Sequence, residues 1–83
     1  MRKKDQKRKN SLLQGFGAAI RNRRIEQNMT QEELGEAAQL HRTYITDVES
    51  GLRNLSFLTM ERLADALDSQ LADLIAEAEA TEI

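Results

Sequence analysis

The chain has 83 residues, 40 % hydrophobic and 31 % charged, with one His and no Cys, Pro or Trp. That is one small domain, which buries only about 60 % of the surface its unfolded form exposes and has little room for a deep catalytic cleft. No disulfide, thiolate metal site or paired-His zinc site can form, and no apolar run approaches the ~20 residues of a spanning helix. The expectation is a cytoplasmic, non-enzymatic protein with no cofactor, metal, membrane contact or small-molecule ligand.

Residues 1–10 carry Arg2, Lys3, Lys4, Lys7, Arg8 and Lys9 against Asp5, a local charge of +5. They hold no apolar run of the roughly 7 to 15 residues that a secretory signal needs. With no apolar residue after Met1, this segment cannot bury enough surface to order itself. It is expected to be a flexible basic arm, able to reach phosphates or a minor groove, ahead of a domain over 11–83. The rest of the chain sums to −7, and after Arg62 come Asp65, Asp68, Asp73, Glu77, Glu79 and Glu82 with no basic residue. The two ends cannot favour the same partner, so nucleic acid would meet one face and the N-terminal side.

From Leu12 onward the apolar pattern is helical. Leu12, Leu13, Phe16, Ala19, Ile20 and Ile25 recur at helical spacing and predict a helix over about 11–27, closed by Asn28 in a left-handed conformation. Thr30 with Glu33 reads as a capping box opening a short helix over about 31–38. After Gln39, Leu40 and His41 comes a third helix, about 42–49, ended by Ser50 and Gly51. Ser56 caps a fourth, to about residue 67, with Leu58, Met60, Leu63, Ala64 and Leu67 as its stripe. A fifth covers about 71–80. No segment alternates at period two, so the prediction is an all-α, compact five-helix bundle without a sheet.

Residues 31–50 carry the functional argument. Two short helices joined by a tight turn need a small residue where their backbones approach, an apolar residue in the turn, and branched aliphatics inside the second helix. Gly35, Leu40, Ile45 and Val48 meet these needs, with Leu34, Ala37 and Ala38 on the inner face of the first helix. The side left to solvent reads Arg42, Thr43, Thr46 and Asp47, flanked by Tyr44 and Glu49. Arg can bind guanine O6 and N7 bidentately, and Thr offers a methyl for thymine and a hydroxyl for a base or phosphate.

Over about residues 16–74 the chain resembles helix-turn-helix transcriptional regulators of the Cro/phage-repressor type, the XRE family. The resemblance rests on Ile20-Arg21 and Arg24, on the run from Met29 to Leu34, on Leu40 to Thr46, on Glu49-Ser50-Gly51 and on the segment capped by Ser56. Arg42-Thr43-Tyr44-Ile45, Glu49 and Arg53-Asn54-Leu55-Ser56 are most similar to controller proteins of restriction-modification systems. The resemblance implies a lambda-repressor-like fold, a homodimer, and insertion of the helix starting near His41 into the major groove of double-stranded DNA. It implies base contacts by Arg42 and Thr43, with Thr46 one turn later, and phosphate contacts by Gln31, Arg24, Arg53 and Asn54. Two departures stand out. Gln39 occupies a turn position that is often Gly, at a left-handed cost of roughly 1 kcal/mol if the turn is unchanged, and Asp68-Ser69 replaces the usual Gly and Val before the last helix.

His41, without a second His, is read as a cap or a phosphate contact. Tyr44 either touches a phosphate or sits half-buried on the helix flank. Glu49 is read as the partner of Arg21 or Arg24. Leu52, Leu55, Phe57, Leu71, Leu74 and Ile75 exceed what one short bundle needs inside, so Leu52, Leu55, Phe57, Leu74 and Ile75 are assigned to a dimer interface. A two-fold dimer would set its recognition helices one DNA turn apart, roughly 34 Å, on a palindromic operator. RNA polymerase is a further candidate partner of such a regulator. The rival reading is a protein-interaction module, such as an antitoxin, whose DNA binding is secondary. A metal nuclease is disfavoured, because Asp47 and Glu49, two apart on a helix, point to different faces.

Overall fold

A computed structural model describes residues 3–80, which form five helices and no strand: α1 (Lys3–Glu26), α2 (Gln31–Ala38), α3 (Arg42–Glu49), α4 (Phe57–Ala66) and α5 (Leu71–Ala80). At 1.5 Å per residue a helix of 24 residues spans about 36 Å, so α1 accounts for the longest dimension of the molecule, 37 Å against 22 and 20 Å.

Local chemistry sets the helix ends. Thr30 Oγ1 accepts from the Glu33 amide at 3.0 Å, and Glu33 Oε1 accepts from the Thr30 amide at 2.8 Å, which completes the capping box. Ser56 caps α4 through the Thr59 amide at 3.1 Å. Four helices end in one way, with a left-handed residue that lets the next amide reach back five residues: Met29 to Arg24, Leu40 to Gly35, Leu52 to Asp47 and Ser69 to Ala64, at 2.8–3.0 Å. The left-handed residues are Asn28, Gln39, Gly51 and Asp68. In the turn between α2 and α3 Gln39 takes the left-handed conformation, with φ +60°. Asp68 likewise adopts the conformation its short polar side chain tolerates.

The core draws on every helix: Phe16, Ala19 and Ile20 from α1, Leu34 and Ala38 from α2, Ile45 and Val48 from α3, Leu63 and Ala64 from α4 with Leu67 just beyond it, and Leu74 and Ala78 from α5. Gly17 brings α1 against the end of α3, because a Cβ there would overlap the carbonyl oxygens of Val48 and Glu49. Gly35 does the same between α2 and the turn, where a Cβ would lie 2.5 Å from the Leu40 carbonyl oxygen.

Three expectations change. The described residues of the segment expected to be a flexible basic arm, 3–10, continue α1 without a break, while Met1 and Arg2 lie outside the described residues. Lys, Arg and Gln favour helix, no Gly or Pro intervenes, Gln6 donates to Asn10 Oδ1 at 3.1 Å, and extending a helix already nucleated by buried Phe16 and Ile20 costs little. Leu58, 74 % exposed, leaves the α4 stripe, and Ala37 and Ile25 are also exposed. Leu74, 0 % exposed, belongs to the core of the single chain rather than to a dimer interface, because α5 turns it inward against the bundle.

Candidate nucleic-acid interface

Ile45 and Val48 bury one side of α3, and this alone fixes which residues face outward: Arg42, Thr43 and Thr46 are exposed together and Asp47 is half-buried beside them. His41 caps the helix, its Nδ1 accepting from the Thr43 amide at 3.0 Å. An accepting Nδ1 leaves the proton on Nε2, so the exposed ring offers a donor to solvent. Arg42 Nη1 lies 3.6 Å from Glu32 Oε1 with both side chains exposed, a pairing worth at most about 1 kcal/mol that a stronger acceptor would displace.

Behind this surface runs a continuous polar chain. Arg24 on α1 donates through Nε and Nη2 to the two carboxylate oxygens of Glu49 at 2.7 and 3.0 Å, and through Nη1 to the Met29 carbonyl at 2.8 Å. The two side chains are only 12 % and 4 % exposed. The hydrogen bond to Glu49 holds the Arg24 guanidinium above its ordinary pKa; burial opposes this and the charge of Glu49 adds to it. A cation so stabilised loses its contribution only as pH rises through the raised value, so the pair is not weakened by moderate alkali. Glu49 Oε1 also accepts from Gln31 Nε2 at 3.1 Å, and Gln31 Oε1 accepts from Thr46 Oγ1 at 3.0 Å. The chain joins α1, α2 and α3 at one point.

A second cluster involves Tyr44 and Asp47 of α3. Arg53 Nε donates to Asp47 Oδ2 at 3.1 Å, and its guanidinium carbon sits 4.8 Å from the centroid of the half-buried Tyr44 ring. Stacking and ion pairing together fix a flexible arginine with its remaining donors toward solvent.

The predicted site residues thus divide. Arg42, Thr43, Thr46, His41 and Gln31 come together at the α2–α3 surface, and Tyr44 with Arg53 forms its edge. Arg24 does not offer its charge to a phosphate; its donors are turned onto Glu49 and Met29, which settles the choice between Arg21 and Arg24 as the partner of Glu49. Asn54, exposed, lines a groove of about 300 Å³ with Leu12, Leu13, Leu55, Met60 and Ile75 on the opposite, apolar side of the bundle. Phe57 and Leu52 stand 63 % and 73 % exposed, and Ile75 continues the groove toward Phe57 and Leu71. Sequence reasoning missed Arg23, which ties α1 to α5 through Ser69 Oγ at 2.9 Å and Glu77 Oε1 at 3.1 Å, contacts 46 and 54 residues apart that no local pattern marks. Among the described residues no group of three or more His, Cys, Asp or Glu could hold a metal ion, and no helix is long and apolar enough to cross a membrane.

Comparison with known proteins gives this surface a context. A helix-turn-helix family profile matches residues 20–74. The chain is 42 % identical over 67 residues to the control protein C.BamHI of Bacillus amyloliquefaciens, an alignment spanning 80 % of this chain and 83 % of that one. It is 38 % identical over 61 residues to the immunity repressor protein of Bacillus phage phi105, across 74 % of this chain and 42 % of the repressor. Among solved structures, the restriction-modification controller protein C.AhdI from Aeromonas hydrophila is 37 % identical with a TM-score of 0.73, covering 75 % of this chain and 94 % of its own. The clp gene regulator ClgR from C. glutamicum is 30 % identical with a TM-score of 0.79, covering 83 % and 90 %. With its turn, its exposed α3 residues and these relatives together, the chain belongs to the helix-turn-helix family of XRE-type DNA-binding regulators that includes the restriction-modification controller proteins.

Proposed function

We propose that this chain acts in the cytoplasm as a sequence-specific regulator of transcription, binding a palindromic operator as a homodimer with α3 in the major groove. The observation that carries the reading is the exposure of Arg42, Thr43 and Thr46 on one side of α3, whose other side is core. Arg42 reads guanine, Thr43 and Thr46 read neighbouring base edges, and Gln31, His41, Tyr44 and Arg53 hold phosphates on either side. Leu52, Leu55, Phe57 and Ile75, with the groove beside them, form the contact to the second subunit. Asn54, at the mouth of that groove, serves the same contact or a phosphate at its margin. Occupancy of the operator then blocks or recruits RNA polymerase, and the similarity to controller proteins supports a role in the control of a restriction-modification system.

Selection of bound sequences from a duplex DNA library, at two salt concentrations and with Arg42→Ala, tests this. An inverted repeat with half-sites about 10 bp apart is expected, with a preference at one base that Arg42→Ala relaxes at a cost of about 1–3 kcal/mol. Binding that falls with salt and enriches no motif would overturn it and favour a protein-interaction module, such as an antitoxin, in its place.

A further inference from the structure

The chain of hydrogen bonds behind α3 fixes more than position; it fixes which way a proton points. Glu49, salt-bridged to Arg24 through both its oxygens, can only accept. The end of the Gln31 side chain that faces it at 3.1 Å is therefore the NH2 group. A planar amide so held presents its oxygen on the other side, and that oxygen lies 3.0 Å from Thr46 Oγ1. A carbonyl oxygen only accepts, so the Thr46 hydroxyl donates. Its other neighbour within reach, the Arg42 carbonyl at 3.2 Å, is an acceptor too. A hydroxyl has one proton, and both groups that compete for it belong to the protein itself. What exposed Thr46 offers outward is a lone pair and a methyl group.

We propose that Thr46 reads its operator base as an acceptor, taking a hydrogen bond from the exocyclic amine of adenine or cytosine, and that Glu49 imposes this polarity through Gln31. The proposal rests on the reading that α3 enters the major groove. There the adenine N6 and cytosine N4 amines are donors, whereas guanine O6 and N7, adenine N7 and thymine O4 are acceptors that would meet a lone pair with repulsion. Glu49 is a positioning residue: its side chain is 4 % exposed and acts only through the amide it orients.

The test uses the full chain and the operator selected from a duplex library. Thr46→Val keeps shape and methyl but removes the oxygen, and the base whose preference it changes is the one Thr46 faces. Replacing that base by its analogue without the amine, purine for adenine or 2-pyrimidinone for cytosine, is expected to weaken the wild type about three- to tenfold and Thr46→Val not at all. Because Glu49 variants endanger folding, Gln31→Met probes the relay: with only the Arg42 carbonyl at 3.2 Å left to hold the proton, it should weaken the preference at that one position, whereas loss of a phosphate clamp alone would weaken all sequences equally. An equal penalty for amine removal in wild type and Thr46→Val, a larger penalty in wild type for removing the N7 acceptor with 7-deazaadenine, or no position altered by Thr46→Val would each overturn the proposal while leaving DNA recognition intact. A library that enriches no motif would overturn both.

Discussion

On the α2–α3 side, side chains from three helices are tied to one another by directional bonds around a buried ion pair. The α4–α5 side carries an apolar groove lined by Leu12, Leu13, Leu55 and Ile75, and Phe57, Leu52 and Leu58 are exposed. Directional bonds specify one arrangement and suit a surface that must discriminate between base edges. Apolar surface is non-directional and suits one that must adhere to a partner, which here is a second copy under the proposed function.

The sharpest way to break this contrast is to remove the ion pair. Glu49→Ala leaves the Arg24 cation buried against no carboxylate, and a loss of about 3–5 kcal/mol in stability is expected by thermal or denaturant melting. A change under about 1 kcal/mol would mean that the pair only decorates the junction. Leu74→Ala, a truncation inside the core, should cost about 2–5 kcal/mol at any protein concentration. Phe57→Glu on the exposed face should leave the melting of the single chain near wild type while abolishing association in sedimentation equilibrium. If both variants affected only association, the assignment of Leu74 to the core would fail. The smallest effect is expected in the turn: Gln39→Gly relieves a left-handed side chain and should raise stability by about 1 kcal/mol with DNA affinity unchanged.

Much of the fold was legible in local chemistry. Thr30 with Glu33, His41 and Ser56 each mark a helix start through a bond to a residue two or three positions on, and Asn28, Gly51 and Asp68 mark ends by tolerating positive φ. The bounds of α2, α3 and α5 follow as predicted, and so does the exposed trio on α3. Composition misled at the start of α1, because a segment that cannot bury surface on its own can still extend a helix that others have nucleated. Periodicity misplaced Leu58 and Ala37, since a stripe on a short helix is wide enough to include residues at its margin that no neighbour covers.

What the sequence by itself determined is the set of short-range decisions: where α1 ends, where α2 to α5 begin and end, and which side of α3 is core. Only the tertiary structure decided that Arg24 turns inward to Glu49 and leaves the phosphates to others, that Leu74 is core, and that Gln31 stands between Glu49 and Thr46. The physical reason is range. Caps and turns bond residues two to five positions apart, whereas Arg24 and Glu49 are 25 residues apart and Gln31 and Glu49 18. Those partners meet only after Gly17 and Gly35 have let α1, α2 and α3 approach closely enough for one carboxylate to serve two of them.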